Sequence, residues 1–389
     1  MSLRPRCRKP ASKNQHRIFD AIDHTHQGGA YYDFIICSYK QLRENFHMEN
    51  NKLTAVPVYH ANLAEVVRGH LATKIPMCIW SPPGCGKTDH MRQIAVENGF
   101  SIIDWRLAQM DAADVRGIPY IGDDGRTHYA PPATLPVEGC GPTVLFLDEI
   151  MQAHGSVTAV AGQIIHERRL GDYVLPDNVV VFAASNRHFD RAAANRMAAH
   201  TANRFMHYEL VVNSHDWCEW AVANRVDERV VSFLRWRPEL CYQYDPKSTS
   251  PAYPSLRSWT NLASIISAVD EDSDIVRTYA LGAVGEGAGS EFIGFIKTLR
   301  KLPDIDEIIA NPDDHDDPEE SDLRHGVTGA MARRADEDNV ENIWKFMIKL
   351  PDDWQVLWAK DVMALGFFDI TQHPVYAEVI SLHREALTG

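Results

Sequence analysis

Ser81-Pro82-Pro83-Gly84-Cys85-Gly86-Lys87-Thr88 decides the reading of this chain. It follows an apolar run, Ile75-Pro76-Met77-Cys78-Ile79-Trp80, that reads as a buried strand, and it precedes a helical pattern, His90 to Asn98. Strand, glycine loop and helix in that order form the context a phosphate-binding loop requires. The glycines let backbone N–H groups turn inward as an anion nest, and the helix N-terminus adds partial positive charge. Ser81, Pro82, Pro83, Gly84, Cys85 and Gly86 would make the cradle. Lys87 would reach the β- and γ-phosphates, and the Thr88 hydroxyl would bind Mg²⁺. The usual pattern opens with glycine; Ser81 is a small residue in its place. Cys85 has two readings. A helix N-terminus and Lys87 both favour a reactive thiolate, or the residue is a small filler pointing into the core.

Around this loop the chain alternates. Strand candidates recur at Met77–Trp80, Ser101–Trp105, Thr143–Leu147, Val179–Ala184 and Phe205–Val212, with helical patterns such as Thr88–Asn98 and Val157–Glu167 between them. This predicts a doubly wound parallel α/β sheet over 55–213, after a segment 1–54 without a clear period. Strand signals fade over 214–303, where His215–Val226, Glu228–Trp236, Leu256–Val269, Ile275–Val284 and Ser290–Leu302 read as a small helical domain. Residues 304–322 hold ten acidic residues and no lysine or arginine. That composition reads as an acidic linker over 304–325. Residues 326–389 resume helical periodicity, with Trp344, Trp354 and Trp358 as core candidates.

Two further strands end in polar groups. Val144-Leu145-Phe146-Leu147-Asp148-Glu149 is apolar and closes on two acids. A phosphate-binding loop needs a carboxylate at a neighbouring strand end to hold Mg²⁺, a role for Asp148, and an adjacent acid to polarise water, a role for Glu149. Val179-Val180-Val181-Phe182-Ala183-Ala184-Ser185-Asn186 ends in an amide able to position that water.

With these motifs in order, the chain resembles the AAA+ ATPases, and most closely the MoxR group, over residues 55–300. The resemblance makes Ser81–Thr88 the Walker A motif, Leu145–Glu149 Walker B and Asn186 sensor 1. It makes Arg204, in Thr201-Ala202-Asn203-Arg204-Phe205, the arginine finger, with Arg191 and Arg196 as secondary candidates, and Arg257 sensor 2. Ile118–Tyr129, with an Asp-Gly turn between strand-like flanks, and Arg169–Leu175 lie where that clade places two hairpins. The segment 326–389 matches no part of the family. The implied fold is a P-loop AAA+ sheet, followed by a helical lid and a helical C-terminal segment. The implied activity is Mg²⁺-dependent ATP hydrolysis in a ring, by resemblance a hexamer, that remodels a protein client alongside a partner with a von Willebrand factor A domain. The alternative is a nucleic-acid motor or phage-type accessory ATPase, kept open by Arg116, Arg126, Arg168 and Arg169. A nucleotide switch with negligible turnover is a third reading, and the Asp148-Glu149 pair weighs against it.

Composition sets the outer bounds. The chain has 389 residues, 45% hydrophobic and 24% charged, in the range of soluble globular proteins, and can hold two or three domains. Seven scattered cysteines without CxxC spacing favour reduced thiols in a cytoplasmic setting over a zinc site. Arg4, Arg6, Arg8 and Lys9 have no apolar core after them, unlike a secretory signal. A net charge of −14 argues against nucleic acid as the main partner.

Overall fold

The computed structural model describes residues 55–187, 190, 197–269 and 274–388. The segment 1–54 and the candidates Arg191 and Arg196 lie outside the described residues. A six-stranded sheet is built from β1 (Val56–Tyr59), β2 (Met77–Ser81), β3 (Ser101–Arg106), β6 (Thr143–Asp148), β9 (Val179–Asn186) and β10 (Met206–Val211). Their order is β1-β10-β2-β9-β6-β3, and every pairing is parallel. Two short antiparallel hairpins lie outside it: β4 (Ile118–Ile121) with β5 (Thr127–Ala130), and β7 (Arg169–Leu170) with β8 (Tyr173–Val174).

The period-two alternation of side chains makes the sheet two-sided. Cys78, Trp80, Leu145, Leu147, Val181 and Ala183 pack against Val157, Ala161 and Ile164 of the helix Gly155–Glu167. The residues between them, Met77, Ile79, Val144, Phe146, Val180 and Phe182, pack on the opposite face. There they meet Leu63 and Val67 of the helix His60–Thr73 and Met91 and Ile94 of the helix Lys87–Glu97. Strands covered on both faces must be apolar throughout, which is why β6 and β9 read as unbroken hydrophobic runs. Strand β1 escapes that signal. It is four residues long, contains Pro57 and pairs only with β10, an edge position where a missing N–H is tolerated.

Beyond Val211 the described chain is helical. One core runs continuously from Trp217 to Val379. At its centre Phe233 is fully buried, with ring centroids of Trp259, Phe292 and Phe295 at 5.5, 5.3 and 5.6 Å. Trp344 and Trp358 stack at 5.7 Å in the same core. The acidic stretch differs from its linker reading. Ile305–Ala310 is a helix with Ile308 buried in that core, and Lys349 Nζ donates to Pro312 O at 2.8 Å and His315 O at 2.7 Å. Its acids do not stop it packing, because Ile305, Ile308 and Ile309 lie on one helical face. None of the described helices is long and apolar enough to cross a membrane.

A buried ion pair ties the early helices to the late ones. Arg235 donates from both terminal nitrogens to Asp361, at 2.6 and 2.7 Å. Removing one partner strands a buried charge, which costs about 3–5 kcal/mol. Arg235→Leu is therefore expected to lower the unfolding free energy, read from urea titration, by that much, and Arg235→Leu with Asp361→Leu to recover most of it. Biphasic unfolding with only one phase affected would show instead that these helices fold as separate units.

Candidate nucleotide-binding site

The carboxyl ends of β2, β9 and β6 lie side by side, with Ser81 opposite Asn186 and Leu147 opposite Ala183. Open parallel sheets bind ligands at this edge. The loop after β2 turns through two left-handed glycines, Gly84 at φ 78° and Gly86 at φ 77°. Gly86 also caps the helix Lys87–Glu97, and a Cβ built on it would meet nothing within 4 Å. The loop is thus a backbone-lined concavity at a helix N-terminus, the shape and polarity that suit phosphate.

Side chains converge on it from both neighbouring strands. Thr88 Oγ1 donates to Asp148 Oδ2 at 2.7 Å, and Lys87 Nζ donates to Asn186 Oδ1 at 2.8 Å. Asp148 Oδ1 accepts from the Glu149 N–H at 2.8 Å. Glu149 follows at φ 57°, a left-handed conformation unusual for a non-glycine residue. Thr88, Lys87, Asp148 and Asn186 therefore form one cluster, with Glu149 at its border. The hydroxyl and carboxylate are hard oxygen donors, the type Mg²⁺ takes, and that ion uses few protein ligands because phosphates and waters fill the remainder. Among the described residues, no group of three or more His, Cys, Asp or Glu side chains is placed to hold a metal by itself.

Cys85 faces away from the concavity. Its side chain is 1% exposed, in the core with Met91 and Phe182, and Sγ donates to the buried Ser81 Oγ at 2.8 Å. Of its two readings, the side chain takes the one that fills the core. The buried hydroxyl of Ser81 accepts from Cys85 and donates to Pro82 O.

The helical part touches the loop directly. Tyr242 donates to Pro83 O at 2.5 Å, and the Arg257 N–H donates to Gly84 O at 3.1 Å. A Cβ on Gly84 would stand 2.9 Å from Ser255 Oγ. Ser255 caps the helix Leu256–Ile266 through Ser258 N, so the first turn of that helix, with the exposed side chain of Arg257, sits over the loop. Burial pushes the Tyr242 phenol well above its ordinary range, so it stays a donor. Sequence reasoning missed Tyr242, which no local pattern marks. It also missed Asp104, opposite Phe146 on β3, whose carboxyl is raised by burial and then by the charge of Asp148. His60 is a third omission: its Nε2 lies 3.2 Å from Cys85 O.

Arg204 is not in this cluster. It precedes β10, whose Met206 pairs with Met77 at the start of β2, whereas the loop follows Ser81 at the other end. The two levels are about 13 Å apart at the usual rise per residue. Arg204 is exposed, beside the stacked rings of His166 and His200. The four hairpin-region arginines differ in their surroundings. Arg168 braces its own turn, donating to Pro176 O and Val179 O. Arg126 lies 4.0 Å from Asp124, while Arg116 and Arg169 border a cavity between the hairpins.

Residues 77–205 match the family model of the AAA proteins, the ATPase family associated with various cellular activities. The match begins at β2 and ends beside Arg204, so it takes in the whole cluster. It gives the class: this stretch is similar to the AAA ATPase domain, the sheet is a P-loop AAA+ fold, and the protein is an ATPase. No curated protein matches the chain. Solved structures similar to it include NtrX from Brucella abortus in complex with ATP, at 12% identity over 96% of this chain and 80% of that one, with a TM-score of 0.35. A variant of RuvB from Thermotoga maritima is similar at 14% identity, 74% of this chain and 86% of that one, with a TM-score of 0.36.

The orientation of Cys85 generates a prediction. In the native protein, peptide mapping after brief maleimide treatment should find the half-buried Cys140 modified and Cys85 intact until denaturant is added. Rapid modification of Cys85 that ATP suppresses would place its thiol in the phosphate concavity instead.

Proposed function

We propose that the protein is a ring-forming, MoxR-like AAA+ ATPase that hydrolyses ATP at subunit boundaries and uses the cycle to remodel a polypeptide client. The observation that carries this reading is the pairing of Thr88 with Asp148 and Lys87 with Asn186 at one sheet edge, with Arg204 at the opposite edge. The loop 81–88 holds the phosphates by its N–H groups, and Lys87 turns from Asn186 to the β- and γ-phosphates. Thr88 and Asp148 would hold Mg²⁺, which when bound neutralises phosphate charge and aligns the oxygens. Glu149 accepts a proton from the attacking water, and Asn186 orients that water. Arg204 cannot reach its own loop, so it serves the nucleotide of the next subunit, where a guanidinium offsets charge on the transferring group. Each site is then complete only across an interface, which favours a closed ring, a hexamer by family resemblance.

The nucleotide state reaches the helical part through Arg257 and Tyr242, which hold the loop carbonyls at Gly84 and Pro83. The client reading draws on the hairpins. Ile118, Tyr120, Ile121 and Val174 are all more than half exposed there. Asp123, Asp124 and Asp172 stand at the hairpin turns, a poor surface for a polyanion. A partner with a von Willebrand factor A domain belongs to the MoxR resemblance alone.

Two experiments test the reading. Glu149→Gln should bind ATP with near wild-type affinity and lose about a hundredfold or more in phosphate release; unchanged turnover removes Glu149 from the base role. Arg204→Ala should lose about a thousandfold in turnover, and mixing it with Lys87→Ala subunits should restore part, because an intact pocket then meets an intact arginine. Mixed rings without restored turnover would contradict a shared site.

A further inference from the structure

The hairpins β4–β5 and β7–β8 are joined to one another. His128 bridges them, with Nε2 3.0 Å from Asp124 and Nδ1 2.9 Å from Asp172. At Gly171 a Cβ would stand 3.7 Å from the ring of Tyr129. Between the hairpins and the last turns of the helix Gly155–Glu167 lies a cavity of about 270 Å³, lined by Arg116, Tyr129, Gln163, Glu167, Arg169 and Gly171. The Arg116 guanidinium lies over the Tyr129 ring, 5.5 Å from its centroid. Among the described residues, neither Arg116 nor Arg169 has a carboxylate within ion-pair distance.

The geometry points to this cavity as a docking site for a carboxylate of the polypeptide client, carried by a segment with apolar residues beside it. Two arginines against Glu167 leave one positive charge, which a single carboxylate neutralises. The guanidinium fork matches a carboxylate in two parallel hydrogen bonds, and its stacking on Tyr129 fixes its plane beforehand. The amide of Gln163 supplies a further donor. Outside the cavity the apolar side chains of Ile118, Tyr120, Ile121 and Val174 offer contact to flanking residues. A nucleic acid fits less well, because its repeated phosphates would pass Asp123, Asp124 and Asp172, whereas an isolated carboxylate meets two arginines against the single acid Glu167. This inference rests on the polypeptide-client reading and sharpens it to acidic segments.

The test uses full-length protein and short fluorescein-labelled peptides, read by anisotropy. One peptide, blocked at both ends, carries a central Glu between Leu and Val in a Gly/Ser background. The second replaces that Glu with Gln. The third carries Gln and a free C-terminal carboxylate. A labelled oligo-dT strand is the nucleic-acid probe. The Glu peptide should bind about tenfold tighter than its Gln counterpart, the worth of one charged hydrogen-bond pair. Arg116→Gln and Arg169→Gln should each abolish that preference while leaving basal ATP turnover unchanged. Arg116→Lys should restore part of it, since charge returns without the fork. Tighter binding of the third peptide than of the Glu peptide would assign the site to chain ends rather than side chains. Equal binding of the Glu and Gln peptides overturns the carboxylate site and leaves the polypeptide-client reading intact. Oligo-dT binding that both arginine variants lose, with no peptide bound, overturns both. Absence of binding by every probe overturns the carboxylate site.

Discussion

A 2.7 Å hydrogen bond from Thr88 to Asp148 joins two segments that are sixty residues apart in the chain. It requires the loop after β2 and the end of β6 to stand at the same level, and β9 lies between those strands. Only a parallel sheet in this order, buried on both faces, brings a helix N-terminus, a strand-end carboxylate and a strand-end amide to one edge. The alternation of Cys78 and Trp80 toward one core and Met77 and Ile79 toward the other keeps that edge level. A one-residue slip of β2 would turn each side chain to the wrong face.

The same order separates Arg204 from the site. The chain enters β10 beside the start of β2, so Arg204 is carried to the far edge of the sheet. Meanwhile the helical region reaches the near edge through Tyr242, Ser255 and Arg257. These contacts join the loop carbonyls to a region whose core extends without a break to Val379. Tyr244 adds a second link by donating to Asp190 O, while Arg187, the residue after Asn186, pairs with the Asp190 carboxylate. Both the phosphate loop and the end of β9 are thus fastened to one stretch, residues 242–257.

Much of this was legible in the sequence where backbone rules act locally. Gly84 and Gly86 take the left-handed angles that their place after a buried strand demands, and β6 and β9 end where their apolar runs meet Asp148 and Asn186. The hairpins follow from the Asp124-Gly125 turn and from Gly171. What stayed illegible has physical causes. The four-residue β1, with Pro57 inside it, falls short of a strand signal. Charge count hid the helix Ile305–Ala310, although its isoleucines at i, i+3 and i+4 carried the signal. Tyr242 and Asp104 matter through distant partners, which no local pattern encodes. The inward turn of Cys85 depends on how the whole loop is wound, so spacing alone left both orientations open.

The proposed metal-nucleotide site of Thr88 and Asp148 at this edge is tested most directly by electron paramagnetic resonance with Mn²⁺ in place of Mg²⁺. With ATP, the wild type should give a tightly held Mn²⁺ signal with phosphorus hyperfine coupling. Thr88→Ala and Asp148→Asn should each weaken or abolish it, while Ser185→Ala, on the same strand as Asn186, should not. A phosphorus-coupled Mn²⁺ signal that survives both substitutions unchanged would contradict the account.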